Sequence, residues 1–194
     1  KGNGLVADIF KTRDTVAKLV GNAGIGHVRY PTAGTSSGEE AQPFFTSTPL
    51  GVGLAHNGNL TNTSELRRRL RRKAKRYVST DSDSELMMNV FAYELRQQLE
   101  RAMRSRGNTV GSLGAKATPR GLGGDDGDDD DCTLSTEEVE TADEVEENVT
   151  PDAAFAAVAA VMSHCKGAYA TVVLVNGAGL VAFRDPHRVR PLSF

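Results

Sequence analysis

The 194 residues, 39% apolar and 25% charged with two cysteines, describe one ordinary globular domain with a core large enough to bury about 70% of the unfolded surface. That excludes a disulfide scaffold, and since neither Cys132 nor Cys165 belongs to a CxxC pair, a cysteine metal site is not expected. The net charge of −2 hides an asymmetry: 13 acidic residues and no Lys or Arg lie between Gly121 and Thr150, leaving 12 acidic against 23 basic residues elsewhere.

In chain order, the apolar–polar alternation of Ile25–Tyr30 predicts a strand, and Gly51–Ala55 predicts a second, short one. Asn62 with Glu65 has capping-box spacing and opens a helix to about Tyr77. That helix carries most of the basic charge, at Arg67, Arg68, Arg69, Arg71, Arg72, Lys73, Lys75 and Arg76. A solvated helix face is the plainer reading. A nucleic-acid patch is the other, but no aromatic interleaves the run, so bases would find no platform. Pairing with the acidic stretch of the same chain is a third, weak and salt-sensitive. Ser82 and Glu85 repeat the box, followed at helical spacing by Leu86, Val90, Phe91, Leu95 and Leu99. From Ser105 to about Asn148 the chain turns Gly/Ser/Thr-rich and then acidic, which reads as a disordered insertion within one domain. Thr150-Pro151 starts a third helix, with Phe155, Val158, Ala159 and Met162 as its expected buried stripe and Lys166-Gly167 as its stop. Tyr169–Val175 and Leu180–Phe183, joined through Asn176-Gly177, predict a hairpin. Strands with helices on both sides, including at least one tight hairpin, give a layered mixed α/β or α+β domain. The longest apolar runs are too short for a membrane span, and no signal peptide is visible.

Three clusters could carry chemistry. Arg29, at the end of the first strand and before Pro31-Thr32-Ala33-Gly34, presents a fork suited to a carboxylate or phosphate; a surface ion pair is the bland alternative. Asn57-Gly58 is first a turn signal, but an asparagine amide and a glycine N–H could also form an oxyanion hole. Neighbouring His56 reads as structural. In Thr80-Asp81-Ser82-Asp83-Ser84-Glu85, acids at a helix N-terminus satisfy the dipole and could equally hold an ammonium group. Together these suit a free amino acid, gripped at both ends, with oxyanion donors facing its side-chain carbonyl. A nucleophile is missing: there is no Gly-x-Ser-x-Gly elbow, Cys132 lies in the acidic stretch, and Cys165 ends an apolar helix, where an inert thiol is expected.

The same clusters resemble the glutaminase domain of the amidophosphoribosyltransferase family. The resemblance rests on Lys1-Gly2-Asn3-Gly4-Leu5-Val6, Gly26-His27-Val28-Arg29-Tyr30-Pro31-Thr32-Ala33-Gly34, Glu40-Ala41-Gln42-Pro43-Phe44, Leu54-Ala55-His56-Asn57-Gly58-Asn59-Leu60-Thr61-Asn62, Thr80-Asp81-Ser82-Asp83-Ser84-Glu85 and Phe183-Arg184-Asp185-Pro186-His187. It covers nearly all of 1–104 and 150–192. It implies the N-terminal-nucleophile hydrolase fold, a four-layer α/β/β/α sandwich of two antiparallel sheets, here incomplete at the N-terminus. The chain would be a partial class II glutamine amidotransferase domain, 1–194, interrupted at about 105–148. Glutamine would be hydrolysed by a processed N-terminal cysteine, and the ammonia passed to phosphoribosyl pyrophosphate to make phosphoribosylamine, the first step of purine synthesis. Residue by residue, Arg29 would hold the glutamine α-carboxylate with Tyr30 and Thr32 beside it, Asp83 the α-amine, and Asn57 and the Gly58 N–H the oxyanion.

The family's nucleophilic cysteine and its transferase domain fall outside the matched strings, so the chain alone is expected to be inactive. The resemblance implies no cofactor in this chain and Mg2+ in the transferase domain. It implies glutamine and phosphoribosyl pyrophosphate as partners, neither nucleic acid nor membrane, a homo-oligomer when full length, and a cytoplasmic location. A catalytically inactive amino-acid-binding or regulatory module is the alternative. One departure stands out: Arg188 occupies a position where the family pattern has glycine, which predicts a strained turn.

Overall fold

The structure, a computed structural model, describes residues 1–2, 4–28, 40–105 and 149–193. Arg29, Tyr30, Thr32, the acidic stretch and Cys132 lie outside the described residues.

Two short helices, α1 (Val6–Ile9) and α2 (Arg13–Ala17), precede the sheet. The sheet is antiparallel, with strands in chain order: β1 (Phe44–Thr46), β2 (Val52–Leu60), β3 (Gly167–Val175) and β4 (Gly179–Arg184). Pairing is continuous from Val52↔Val175 to Leu60↔Gly167, and the predicted hairpin turns at Asn176–Ala178, where Ala178 N–H donates to the Val175 carbonyl. Helix α3 (Thr63–Arg69) widens into a π-helical turn, Leu70–Ala74. Helix α4 (Asp83–Ser105) lies on the sheet and α5 (Pro151–His164) packs against α4. The predicted apolar set of α4, Leu86, Val90, Phe91, Leu95 and Leu99, is buried throughout. Full burial of each such side chain contributes about 1.5–3 kcal/mol. The architecture is α+β with an antiparallel sheet and helices packed on it.

Several expectations are corrected. Ile25–Val28 pairs with no strand among the described residues; instead the Ile25 side chain lies over Gly53, within van der Waals reach of the space a Cβ would fill. The strand expected at Gly51–Ala55 runs on to Leu60, so Asn57-Gly58 is inside a strand and makes no turn. The basic helix stops short of Tyr77, because Lys75 turns into the left-handed region (φ 53) and Arg76 N–H reaches back to the Leu70 carbonyl. Its charges are not all solvated: Arg67 pairs with Asp81, Arg69 with Glu94, and Arg76 donates to Asn89 and the Thr48 carbonyl.

The Asn62 box does not cap α3 as expected. Asn62 Oδ1 accepts from Lys166 N–H (3.0 Å) and Nδ2 donates to the His164 carbonyl (2.8 Å), so the side chain ties α3 to the end of α5. At α4, Glu85 reaches past Ser82 to accept from the Ser79 and Thr80 N–H groups, at 2.8 and 2.7 Å. Thr150 caps α5 as predicted. The buried stripe of α5 is rotated, however: Ala153, Ala154, Ala157, Val158 and Val161 face the core, while Phe155 and Ala159 are exposed and Met162 is half-buried. The small residues let α5 approach α4 closely. Gly167 is no helix cap but the first residue of β3, at φ +139.

The anomaly at Arg188 is visible in the backbone. Its φ is 60, with its N–H donating to the Asp185 carbonyl at 3.0 Å. A left-handed non-glycine residue costs about 1–2 kcal/mol. Arg188 is exposed, and among the described residues its side chain makes no contact that offsets this. Arg188→Gly is therefore expected to raise the unfolding free energy by about 1 kcal/mol, net of the extra freedom of glycine in the unfolded chain. Urea denaturation of the two proteins checks it, and an unchanged or lower midpoint contradicts it.

Candidate functional site

The site is built around the second half of β2. Alternation sends Leu54, His56 and Leu60 toward α4, and sends Gly53 and Asn57 to the opposite face, where the segment 25–28 crosses. There His27 Nε2 lies 2.9 Å from Asn57 Oδ1. A carbonyl oxygen can only accept, so the ring nitrogen donates. The amide is thereby turned with its Nδ2–H2 donors away from His27, and those donors meet no acceptor among the described residues.

Gly58 follows at φ +139, a conformation that favours glycine. The strands pinch together here. A Cβ on Gly58 would stand 2.0 Å from the Ala168 carbonyl oxygen, and one on Gly167 would stand 2.2 Å from that of Asn59.

On the α4 face, His56 is held at backbone and side chain. Gln42 acts as a surrogate strand: its Oε1 accepts from His56 N–H (2.7 Å) and its Nε2 donates to the His56 carbonyl (3.1 Å). His56 Nδ1 is 2.9 Å from Ser84 Oγ and 3.8 Å from Asp83 Oδ1. Burial lowers the His56 pKa, with Asp83 opposing and the charges of His27 and Arg190 adding. A neutral ring makes the contact with Asp83 a polar one and not an ion pair. His56 Nε2, His27 Nδ1 and the Tyr169 hydroxyl are buried polar atoms without a partner among the described residues.

Asp83 opens α4, where the helix N-terminus favours negative charge. Its Oδ2 accepts from Leu60 N–H at 2.9 Å, which pins the carboxylate to the end of β2, and Oδ1 remains at the partly exposed rim. Asp83 thus meets β2 at Leu60, three residues (roughly 10 Å along the strand) beyond Asn57, and does so on the face opposite the Asn57 side chain.

Cys165, buried just before β3, has its thiol pushed up to about 12 by burial and by Asp83, so it is protonated and unreactive at neutral pH, as expected. Asp185 ends the cluster. Burial raises its pKa, but N–H groups of Val189, Tyr169 and Arg190 outweigh that and hold the carboxyl below the usual range. This anchors the 188–190 turn and brings the Arg190 charge toward His56.

Of the expected site residues, Asn57 and Gly58 lie within β2, and Asp83, at the start of α4, reaches the end of the same strand at Leu60 N–H. His27, Gln42 and Ser84 carry no sequence signal beyond membership of the matched strings, and Arg190 lies outside those strings, because their roles arise from contacts across the chain. Among the described residues no group of three or more His, Cys, Asp or Glu could hold a metal, and no helix is long and apolar enough to cross a membrane.

Residues 14–104 match a family model described as a glutamine amidotransferase domain. Across all 194 residues the chain is 41% identical to an amidophosphoribosyltransferase of Pseudomonas aeruginosa, covering 29% of it. It is 40% identical to that of Escherichia coli over 192 residues, which is 99% of this chain and 29% of the relative. A solved structure described as the allosteric regulatory enzyme of purine biosynthesis aligns with 98% of the chain and 29% of its own, at 22% identity and a TM-score of 0.49. The chain spans under a third of the length of the curated relatives it matches.

Proposed function

We propose that this chain, which matches a glutamine amidotransferase domain model over residues 14–104 and is 41% identical over its whole length to an amidophosphoribosyltransferase, is the glutamine-hydrolysing part of such an enzyme. In this reading it supplies ammonia for the conversion of phosphoribosyl pyrophosphate to phosphoribosylamine. The likeness to named amidophosphoribosyltransferases over the whole of this chain carries the reading, and Asn57 on β2 with Asp83 pinned to the end of that strand supports it.

The proposed chemistry divides among the residues as follows. Asp83 Oδ1 receives the substrate α-ammonium, while Arg29, Tyr30 and Thr32 bind the α-carboxylate end. A cysteine thiolate attacks the side-chain amide carbon. Cys165, buried and protonated, does not suit that role, and the reading takes the nucleophile from polypeptide outside residues 1–194. As the carbonyl becomes an oxyanion, Asn57 Nδ2–H2 and the Gly58 N–H stabilise it. Collapse, with the thiol proton held by the cysteine's own α-amine passed to the departing nitrogen, expels ammonia and leaves a thioester, which water hydrolyses to glutamate. The two-sheet sandwich, the homo-oligomer and the cytoplasmic location belong to this same proposal, as does Mg2+ in the transferase part.

The test is glutamine hydrolysis by the full-length gene product and its Asp83→Asn variant. Asparagine keeps an oxygen for Leu60 N–H but loses the charge for the ammonium. A charge-assisted hydrogen bond contributes about 1.5–3 kcal/mol, so KM for glutamine is expected to rise about 10- to 100-fold while kcat changes little. Glutamine binding without any hydrolysis in the unmodified protein would instead favour an inactive binding module.

A further inference from the structure

We propose that His27 is a positioning residue that orients the Asn57 amide, so that the strand presents hydrogen-bond donors, and not a carbonyl dipole, to the reacting oxygen. The inference rests on the glutaminase reading of this site and adds a residue to it.

An asparagine amide has two ends of opposite polarity, and in an oxyanion hole only one orientation helps. With Nδ2 outward it donates to the developing negative oxygen. Flipped, it offers Oδ1 and repels that oxygen. Asn57 is exposed and on its own strand would sample both. The His27 contact decides between them, at 2.9 Å from Nε2 to Oδ1. It does so only if Nε2 carries the proton, and the environment of the other ring nitrogen favours that tautomer. His27 Nδ1 is buried with no partner among the described residues. An unpaired buried acceptor is tolerated more readily than an unpaired buried donor, so the lone pair belongs on Nδ1 and the hydrogen on Nε2. Ile25, packed over Gly53 two residues earlier, sets the segment against the far face of β2 and places the ring over Asn57.

The experiment measures kcat and KM for glutamine hydrolysis in the full-length protein and in two variants, His27→Leu and His27→Gln. Thermal unfolding and affinity for glutamate, which has no tetrahedral oxygen, are measured alongside. Removing one oxyanion donor outright costs about 10²–10³ in kcat, so an unoriented donor in His27→Leu is expected to lower kcat about 10- to 100-fold with KM within about threefold. A glutamine γ-aldehyde, whose thiol adduct places an oxygen in the same hole, is expected to lose inhibition by the same factor. Glutamate affinity stays unchanged. His27→Gln, whose amide nitrogen stands close to where Nε2 was, is expected to recover most of kcat.

A His27→Leu variant that folds and keeps its kcat overturns the inference while leaving the glutaminase reading intact. So does a folded His27→Gln variant as slow as His27→Leu, which also decides the matter if His27→Leu fails to fold. Absence of glutamine hydrolysis in the unmodified full-length protein overturns the glutaminase reading and this inference with it.

Discussion

The Gly58→Ala substitution is expected to cost at least about 4 kcal/mol of folding stability, the exceptional end of the range for a single methyl group. Two effects add. At φ +139 a side chain meets its own backbone, whatever surrounds it. The surroundings are also closed: the new Cβ would stand 2.0 Å from the Ala168 carbonyl oxygen and 2.7 Å from Tyr169 Cα. Both are backbone atoms of the paired strand, so no rotamer change relieves the contact. β3 would have to move off β2 where Asn57↔Ala170 and Gly58↔Tyr169 are in register, and Tyr169, fully buried, would move with it. Against a typical stability of about 5–15 kcal/mol, that loss leaves little. Gly24→Ala is the internal control, since nothing lies within 4 Å of the position its methyl group would take. Urea unfolding should show the control within about 0.5 kcal/mol of the parent and the position-58 variant far below it or insoluble. A Gly58→Ala protein of near-parental stability would show that the pinch between the strands is absent in solution.

The largest functional effect is expected at Asn57. In the full-length protein, Asn57→Ala should lower kcat for glutamine hydrolysis by about 10²–10³ and leave KM within a few-fold, because the lost hydrogen bond forms in the transition state. Asn57→Asp should be slower still, since it sets a negative oxygen against a developing one and forfeits the donor. Neither change is expected to unfold the protein, because the side chain is exposed and its described hydrogen bond is the one to His27. Steady-state kinetics beside thermal unfolding separate the two effects. A rise in KM with unchanged kcat would place Asn57 in ground-state binding and remove it from the oxyanion hole.

How far the sequence foretells this molecule depends on whether the deciding contact is local. Helix α4 is legible because Leu86, Val90, Phe91, Leu95 and Leu99 repeat on one face and that face is the one buried. The hairpin around Asn176-Gly177 and the Thr150 cap follow from turn and cap chemistry within a few residues. The length of β2 is not legible. Asn57-Gly58 has the local propensity of a turn, and only pairing with β3, more than a hundred residues on, overrides it. The face of α5 is hidden for a similar reason. Phe155 is the most apolar-looking choice for a core, yet close approach to α4 selects the alanines and leaves the ring outside. Asn62 has a capping side chain that distant partners, Lys166 and His164, have taken.

In the site, Asn57, Gly58 and Asp83 can be read from their strings. His27 cannot, because nothing in its neighbours shows that it will cross β2 at Asn57. Arg188 is the reverse case, where the glycine of the family pattern at its position predicts a left-handed turn and the backbone has φ 60 there.

The surrogate strand formed by Gln42 has a consequence for behaviour in a crowded solution. β1 covers only Val52–Leu54 of β2, so the margin beyond it would otherwise offer free donors and acceptors to any extended segment that met it. One side-chain amide occupies the pair on His56. Pro43, next along, has no N–H with which to seed a longer ladder. Among the described residues, the margin of β2 beyond β1 is thereby capped at His56, the residue whose ring faces Asp83, against pairing with a neighbouring molecule's strand.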